Sequence, residues 1–203
     1  CERKIMKNFE NITDIFFDLD HTIYDFELNS SLTFKKIFQD LNLEVSNDFD
    51  SHFKIINDAY WEKFAKDEIT KDQLRYGRLK DTFSKINLDV SDELILQIAD
   101  LFIVFLPSFN NVFVGAHETL DYLQTKYRLH IITNGPDEVQ VLKLKNSNLE
   151  KYFLTITNSE KAGVKKPNPI IFNHALALAN TSADKSVMIG DNLEADVNGA
   201  LNV

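Results

Sequence analysis

Residues 12–22 read Ile-Thr-Asp-Ile-Phe-Phe-Asp-Leu-Asp-His-Thr, and this stretch predicts the first strand of the fold and the polar turn after it. Its first part, Ile12 to Asp18, is a short apolar run typical of a buried strand. Two carboxylates, Asp18 and Asp20, lie two residues apart at the predicted end of that strand. Both can point into one crevice, one as a nucleophile and the other as a general acid and base. Taken alone, the residues suit a polar turn equally well, because Asp and Thr favour turns and caps.

A long stretch with helical periodicity follows. Apolar residues recur at the i, i+3, i+4, i+7 positions in four successive segments, which predicts four amphipathic helices that form a small bundle. Pro107 and the polar residues after it mark the end of this stretch. We therefore expect a helical insertion over residues 27–111. Its four segments are Phe34–Leu41, Phe53–Phe64, Tyr76–Ile86 and Leu94–Phe105.

After Gly115 the pattern changes to alternating helices and strands, which is typical of a parallel sheet with helices on both faces. We expect an α/β fold, a doubly wound parallel sheet built from residues 12–26 and 112–203 and interrupted by the helical insertion. The predicted strands are Leu129–Thr133, Phe153–Thr157 and Ser186–Ile189. The predicted helices are Ala116–Lys126, Asp137–Asn146, Pro169–Ala179 and one that begins near Leu193.

A second polar motif, Thr133-Asn134-Gly135, follows the strand that ends in Ile131-Ile132. A hydroxyl group and backbone amides at a helix N-terminus can hold a phosphate. Ordinary capping of the next helix explains the same residues, so this motif by itself decides nothing.

A third motif, Gly163-Val-Lys-Lys-Pro167, precedes the helix that begins at Pro169. A lysine fixed on this loop, Lys166, can neutralise a phosphoryl oxygen and orient a nucleophile. Isolated lysines are usually solvated surface charges, so this motif too is weak when it stands alone.

A fourth motif, Gly190-Asp-Asn-Leu-Glu-Ala-Asp196, follows the apolar run Val187–Ile189. A carboxylate at the end of a buried strand, here Asp191, is well placed to bind Mg²⁺, which prefers oxygen ligands. The alternative is that Asp191 caps the next helix. All four motifs follow predicted strands, at the sheet edge where open α/β sheets bind ligands.

In their order and context the four motifs resemble those of the haloacid dehalogenase-like (HAD) hydrolases with a helical cap, and the resemblance covers nearly the whole chain. It implies a Rossmann-like core and a Mg²⁺-dependent phosphatase that forms a phosphoaspartate on Asp18. Asp20 is then the residue that protonates the leaving oxygen and afterwards activates water. The metal ligands implied are Asp18, the backbone carbonyl of Asp20, and Asp191.

The resemblance also implies roles for the remaining motif residues. Thr133 and Asn134 hold the phosphoryl group beside Lys166. Asp196 orients Lys166 or a metal-bound water, and Thr22 supports the first motif's loop. Relatives that act as 2-haloacid dehalogenases lack an Asp two residues after the nucleophile, so Asp20 favours phosphate ester chemistry.

The insertion resembles that of the pyrimidine 5′-nucleotidase branch. The resemblance rests on Asp18–Glu27, on Ile56-Asn57 through Phe64, on Glu68–Arg75, and on Thr133-Asn134-Gly135 followed by Asp137–Gln140. It implies nucleoside 5′-monophosphates as substrates, pyrimidines preferred. Pro136 departs from the aromatic residue expected after Thr133-Asn134-Gly135. Trp61 is a candidate for stacking on the base, because aromatic faces bind nucleobases. Its neighbours Tyr60 and Phe64 lie on the apolar stripe and are better explained as core residues.

Three other functions remain open: a phosphomutase of the same fold, a sugar-phosphate phosphatase, and a HAD-like binding protein without activity. The intact set of Asp18, Asp20, Lys166 and Asp191 counts against the last. Relatives usually continue past the fourth motif with another strand, so we expect a chain that is either incomplete or shortened after Val203.

Bulk properties narrow the partners. The net charge of −9 disfavours a nucleic-acid polymer, and no apolar run approaches the length of a membrane span. Cys1, the single cysteine, cannot form an internal disulfide, which fits the reducing cytoplasm. The expected partner is a small-molecule phosphate ester, and the sequence predicts no oligomeric state.

Overall fold

The computed structural model describes residues 11–203, which divide into two compact units. One unit is Phe26–Asn111, and the other joins the described residues up to Asp25 with Val112–Val203. Cys1, on which the expectation of a reducing compartment rests, lies outside the described residues. Within residues 11–203, every helix is too short or too polar to cross a membrane.

The unit Phe26–Asn111 is a bundle of the four helices that the apolar periodicity predicts. They are α1 (Phe26–Asp40), α2 (Phe49–Ala65), α3 (Lys71–Lys85) and α4 (Asp92–Phe105). The start of α3 is fixed by a capping box, in which the Thr70 side chain and the Gln73 side chain each bond the other's backbone N–H. The core is aromatic: the Phe34 ring stacks on Phe102 at 4.6 Å and meets Phe53 edge-on at 4.7 Å.

The other unit is an α/β unit around a four-stranded parallel sheet in the order β3-β2-β1-β4. The predicted α/β fold is therefore confirmed. Its strands are β1 (Asp14–Phe17), β2 (Arg128–Thr133), β3 (Phe153–Asn158) and β4 (Ser186–Ile189). Its helices are α5 (Ala116–Leu123), α6 (Asp137–Asn146), α7 (Ser159–Ala162), α8 (Pro169–Ala179) and α9 (Gly199–Leu201), with a π-helical turn at Leu193–Asn198.

One apolar cluster ties α8 to the sheet. Phe16 of β1 and Ile132 of β2 pack with Ile171 and Phe172 of α8, and all four side chains are buried. Complete burial of such a side chain contributes about 1.5–3 kcal/mol, so this cluster stabilises the strands from which the site residues emerge.

The strand order creates a switch point beside β1. The chain moves from β1 through β2 to β3 on one side and then returns to place β4 on the other side of β1. In open α/β sheets the crevice outside the carboxyl ends of the strands at such a point is where ligands bind. Asp18 follows β1 and Asp191 follows β4, so the fold brings the first and fourth motifs to this crevice.

The structure corrects several element boundaries. Strand β1 is shorter than the predicted Ile12–Asp18, and α5 ends at Leu123, three residues before Lys126. The helix expected near Leu193 begins as a π-helical turn. The Asn192 side chain accepts bonds from the N–H groups of Glu194 and Ala195, and the Asn192 carbonyl accepts a long bond from Val197. This last bond spans five residues, which is the spacing of a π-helical turn.

Candidate active site

Asp18 lies directly after β1, and its backbone still belongs to the sheet. Its N–H donates to the carbonyl of Ile189 in β4 at 2.9 Å. The chain then turns sharply, because the N–H groups of Ile23 and Tyr24 both donate to the Leu19 carbonyl, and His21 takes a positive φ of 61°. Asp18 is therefore fixed by the sheet, while Asp20 lies on a tight turn.

Lys166 joins the third motif to the first and the fourth. Its Nζ donates to Asp18 Oδ1 at 2.6 Å, to Asp196 Oδ1 at 2.6 Å and to the Ile132 carbonyl at 2.8 Å. These bonds use all three donors of the ammonium group, which is buried. Burial alone would lower the pKa of Lys166, but the two carboxylates outweigh it and raise that pKa, so the lysine stays charged.

Asn134 holds the backbone of Lys166. The Asn134 side chain accepts from the Lys166 N–H at 2.8 Å and donates to the Lys166 carbonyl at 3.0 Å. Both ends of this amide are thus engaged by the third motif. The sequence predicts that Asn134 holds a phosphoryl group; its side-chain amide is bonded to Lys166 in this structure, and the phosphoryl contact stays a prediction.

Asp196 is the second carboxylate on Lys166. Its other oxygen, Oδ2, accepts from the Asn192 N–H at 3.0 Å, so the side chain is held from both ends. The carboxylate also lies directly over Gly190, where a Cβ atom would overlap it. The glycine of the fourth motif is therefore required by the position of Asp196.

Gly190→Ala is expected to displace the Asp196 carboxylate and to loosen Lys166, with a loss of stability of about 1–3 kcal/mol, typical of overpacking. Phosphatase activity should fall with it. Thermal unfolding and kcat measured on the same preparation check this. A variant with wild-type stability and wild-type kcat would show that the close approach at Gly190 has no consequence.

Three carboxylates converge at the switch point. Oxygen atoms of Asp18, Asp191 and Asp196 lie within 4.8 Å of one another, and the buried cation that contacts two of them is Lys166. Burial raises the pKa of Asp18 to about 7, although the Lys166 ammonium opposes the shift; repulsion from Asp196 and Asp20 adds to it. This excess of negative oxygen ligands fits a hard divalent cation such as Mg²⁺. Asp191 is exposed, so the cluster opens to solvent.

Thr22 of the first motif and Thr133 of the second differ in how firmly their hydroxyl groups are held. The Thr22 hydroxyl reaches Asp191 Oδ1 only at 3.5 Å, which is a weak contact. The Thr133 hydroxyl oxygen is buried and accepts from the Gly135 N–H at 3.2 Å and from Gln140 Nε2 at 2.7 Å.

Asp20 is held by two residues for which sequence reasoning gave no role. Its Oδ1 accepts from Lys143 Nζ at 2.7 Å, and its Oδ2 accepts from Gln140 Nε2 at 2.9 Å. Both donors come from α6. Their spacing of three residues, which places them on one helix face behind the second motif, is the signal that could have identified them.

Trp61 belongs to the helical unit. It lies on α2, is half-buried, and its ring meets Phe64 edge-on at 5.6 Å. Its neighbour Tyr60, expected in the core, is only half-buried: its ring packs over Gly77 of α3 and its hydroxyl donates to Asp81 at 2.8 Å. The stacking role of Trp61 stays a prediction.

Comparisons with known proteins show the family of this chain. A model of the haloacid dehalogenase-like hydrolase family matches residues 15–203. The HAD-hydrolase YfnB of Bacillus subtilis is 30% identical over 91% of this chain and 78% of its own length. A crystal structure of YfnB bound to magnesium superposes with a TM-score of 0.85 at 29% identity, over 94% of this chain and 85% of that one.

Two further relatives have named activities. Pyrimidine 5′-nucleotidase YjjG of Escherichia coli is 29% identical over 93% of this chain and 81% of its own length. A glyceraldehyde 3-phosphate phosphatase of Methanothermobacter thermautotrophicus is 26% identical over 93% of this chain and 80% of its own length. The chain belongs to the haloacid dehalogenase-like hydrolases. Within that family it is a phosphatase, as its relatives and its paired carboxylates Asp18 and Asp20 indicate.

Proposed function

We propose that this phosphatase hydrolyses nucleoside 5′-monophosphates, pyrimidines ahead of purines, through a phosphoaspartate on Asp18. The observation that carries the chemical part is the bond of 2.6 Å from the buried Lys166 ammonium to Asp18 Oδ1. That bond orients the carboxylate and offsets its charge, so that Asp18 Oδ2 is the oxygen left to attack a phosphorus atom.

In the first step Asp18 attacks the phosphorus atom, and the bond from phosphorus to the leaving oxygen breaks. The leaving alkoxide takes a proton from Asp20, which acts as a general acid. The products of this step are the free nucleoside and a phosphoryl group on Asp18. The Thr133 hydroxyl and the backbone N–H of Asn134 support the phosphoryl oxygens throughout.

In the second step Asp20, now ionised, removes a proton from a water molecule that attacks the phosphorus atom. The bond from phosphorus to Asp18 breaks, inorganic phosphate leaves, and Asp20 carries the proton needed for the next cycle. Asp196 keeps Lys166 in place during both steps through its bond to the ammonium group, and it takes no part in the bonds that form or break.

Asp18, Asp191 and the Asp20 backbone carbonyl are the groups that would hold Mg²⁺, next to Asp196. A bound Mg²⁺ supplies positive charge that offsets repulsion between a phosphate dianion and the Asp18 carboxylate. The convergence of three carboxylates within 4.8 Å supports this assignment.

The choice of substrate is assigned to the helical unit Phe26–Asn111, which we propose acts as a cap. The motif residues handle the phosphoryl group, so they cannot select a leaving group. The sequence of α2 and α3 resembles the pyrimidine nucleotidase branch, and the named activity of YjjG supports the same substrate class. Trp61 is the proposed stacking residue.

This proposal predicts a higher kcat/KM for UMP and dTMP than for glucose 6-phosphate, with hydrolysis that stops when EDTA is added and returns with excess Mg²⁺. Steady-state assays of phosphate release measure both effects. Equal or reversed values of kcat/KM would contradict the substrate class and favour a sugar-phosphate phosphatase, the activity named for the archaeal relative. Hydrolysis that is unaffected by EDTA would contradict the metal site.

A further inference from the structure

Helix α6 carries two buried polar side chains that the chemistry above does not use. Gln140 is fully buried and Lys143 is 3% exposed. A buried lysine destabilises the folded state unless it is paired with an opposite charge, and buried polar groups in native proteins are normally hydrogen-bonded. These two side chains lie three residues apart on one face of the helix, and both reach the same carboxylate, that of Asp20.

The two donors each form a hydrogen bond to a different oxygen of the Asp20 carboxylate. Lys143 takes Oδ1 at 2.7 Å and Gln140 takes Oδ2 at 2.9 Å, so the carboxylate plane is fixed by two points on one rigid helix. The side chain of Asp20 remains 22% exposed, whereas that of Lys143 is 3% exposed. Lys143 therefore holds Asp20 from the protein interior, while part of the Asp20 carboxylate stays accessible to solvent.

Gln140 also sets the direction of the Thr133 hydroxyl. Its Nε2 has two hydrogens, and the second donates to Thr133 Oγ1 at 2.7 Å while the Gly135 N–H donates to the same oxygen at 3.2 Å. A hydroxyl oxygen accepts two bonds, so the remaining capacity of Thr133 is to donate its own proton. That is the polarity needed to bind a phosphoryl oxygen.

Gly135 makes room for this arrangement. A Cβ atom at Gly135 would overlap the side-chain amide of Gln140. A glycine is therefore required at position 135 by the close approach of Gln140. Gln140 thus contacts two residues of the second motif, Thr133 and Gly135.

We propose that Gln140 and Lys143 are positioning residues for the acid-base carboxylate of Asp20 and that Gln140 also holds Thr133 as a hydrogen-bond donor. This inference rests on the proposed function, in which Asp20 protonates the leaving oxygen. It has a specific consequence. An alkyl leaving group such as that of UMP needs the proton, whereas p-nitrophenolate leaves without one, so misplacing Asp20 penalises UMP selectively.

The experiment compares kcat/KM for UMP with kcat/KM for p-nitrophenyl phosphate in wild type, Lys143→Met and Gln140→Met. The ratio of the two values is expected to fall about 100-fold in each variant, the lower end of what general acid catalysis contributes. Lys145→Met, an exposed lysine on the same helix, is the matched control and should leave the ratio unchanged. In an Asp20→Asn background, Lys143→Met should have no further effect on the ratio.

A ratio that stays at the wild-type value in Gln140→Met or in folded Lys143→Met overturns the proposal, because a purely structural role lowers both substrates together. Gln140→Met changes no charge, so it decides the matter if Lys143→Met does not fold. A wild-type enzyme that hydrolyses p-nitrophenyl phosphate but not UMP would instead contradict the proposed substrate class. The proposed residues can then be tested with another alkyl phosphate that the enzyme does hydrolyse, by the same ratio and the same criterion.

Discussion

Asp18→Asn is expected to lower kcat by roughly 10⁶-fold, the size of loss that follows removal of the nucleophile from a hydrolase with a covalent intermediate. The amide is a poor nucleophile and a weaker ligand for a divalent cation. Phosphate release from p-nitrophenyl phosphate measures the loss. Asp89→Asn, on an exposed loop after α3, is the matched control and should retain full activity.

The fold of Asp18→Asn should survive. Lys166 keeps its bonds to Asp196 at 2.6 Å and to the Ile132 carbonyl at 2.8 Å. Burial raises the pKa of Asp18 from 3.8 in the unfolded chain to about 7 in the folded protein. The free energy of unfolding therefore falls as the pH rises from about 4 to about 7, because the carboxyl group ionises less readily in the folded state. The variant lacks this loss of stability. With EDTA present, its unfolding temperature above pH 7 should equal or exceed that of wild type, and a clearly lower value would contradict this electrostatic description.

Asp20→Asn is expected to lower kcat/KM for UMP by about 10²–10⁴-fold, the usual contribution of a general acid and base. The two chemical steps should respond differently to an aryl phosphate. The first step needs no proton donor when p-nitrophenolate leaves, whereas the second still needs a base to activate water. The phosphoenzyme should therefore accumulate in this variant.

Rapid mixing of Asp20→Asn with p-nitrophenyl phosphate should give a burst of p-nitrophenolate that matches the enzyme concentration, followed by a slow steady rate. Wild type should give no comparable separation of phases. If the burst and the steady rate fall together, Asp20 is not the residue that serves the second step.

Much of the fold could be predicted because its signals are local. The apolar run before Asp18, the periodicity of α1 to α4 and the alternation after Gly115 each specify an element from its own residues. Asp14 shows where this stops. It lies within the apolar run, yet it is fully buried because Arg128, His130 and Thr181, all distant in sequence, bond its carboxylate. No local pattern contains that information.

The candidate site divides in the same way. Asp18, Lys166, Asp191 and Asp196 could be predicted to meet because motifs at the carboxyl ends of neighbouring parallel strands share one crevice. The bonds of individual side chains could not. Lys143 looks like an ordinary surface lysine of α6, and its burial against Asp20 depends on how that helix packs on the loop after β1.

We expect Asp18 to carry the phosphoryl group during turnover. The most direct measurement is peptide mass analysis after Asp20→Asn is mixed with p-nitrophenyl phosphate and Mg²⁺ and quenched in acid. We predict the added mass of one phosphoryl group on the peptide that contains Asp18, and no such addition in a variant that also carries Asp18→Asn. A phosphoryl group on a different residue, or turnover with an unmodified Asp18 peptide at every quench time, would contradict the claim.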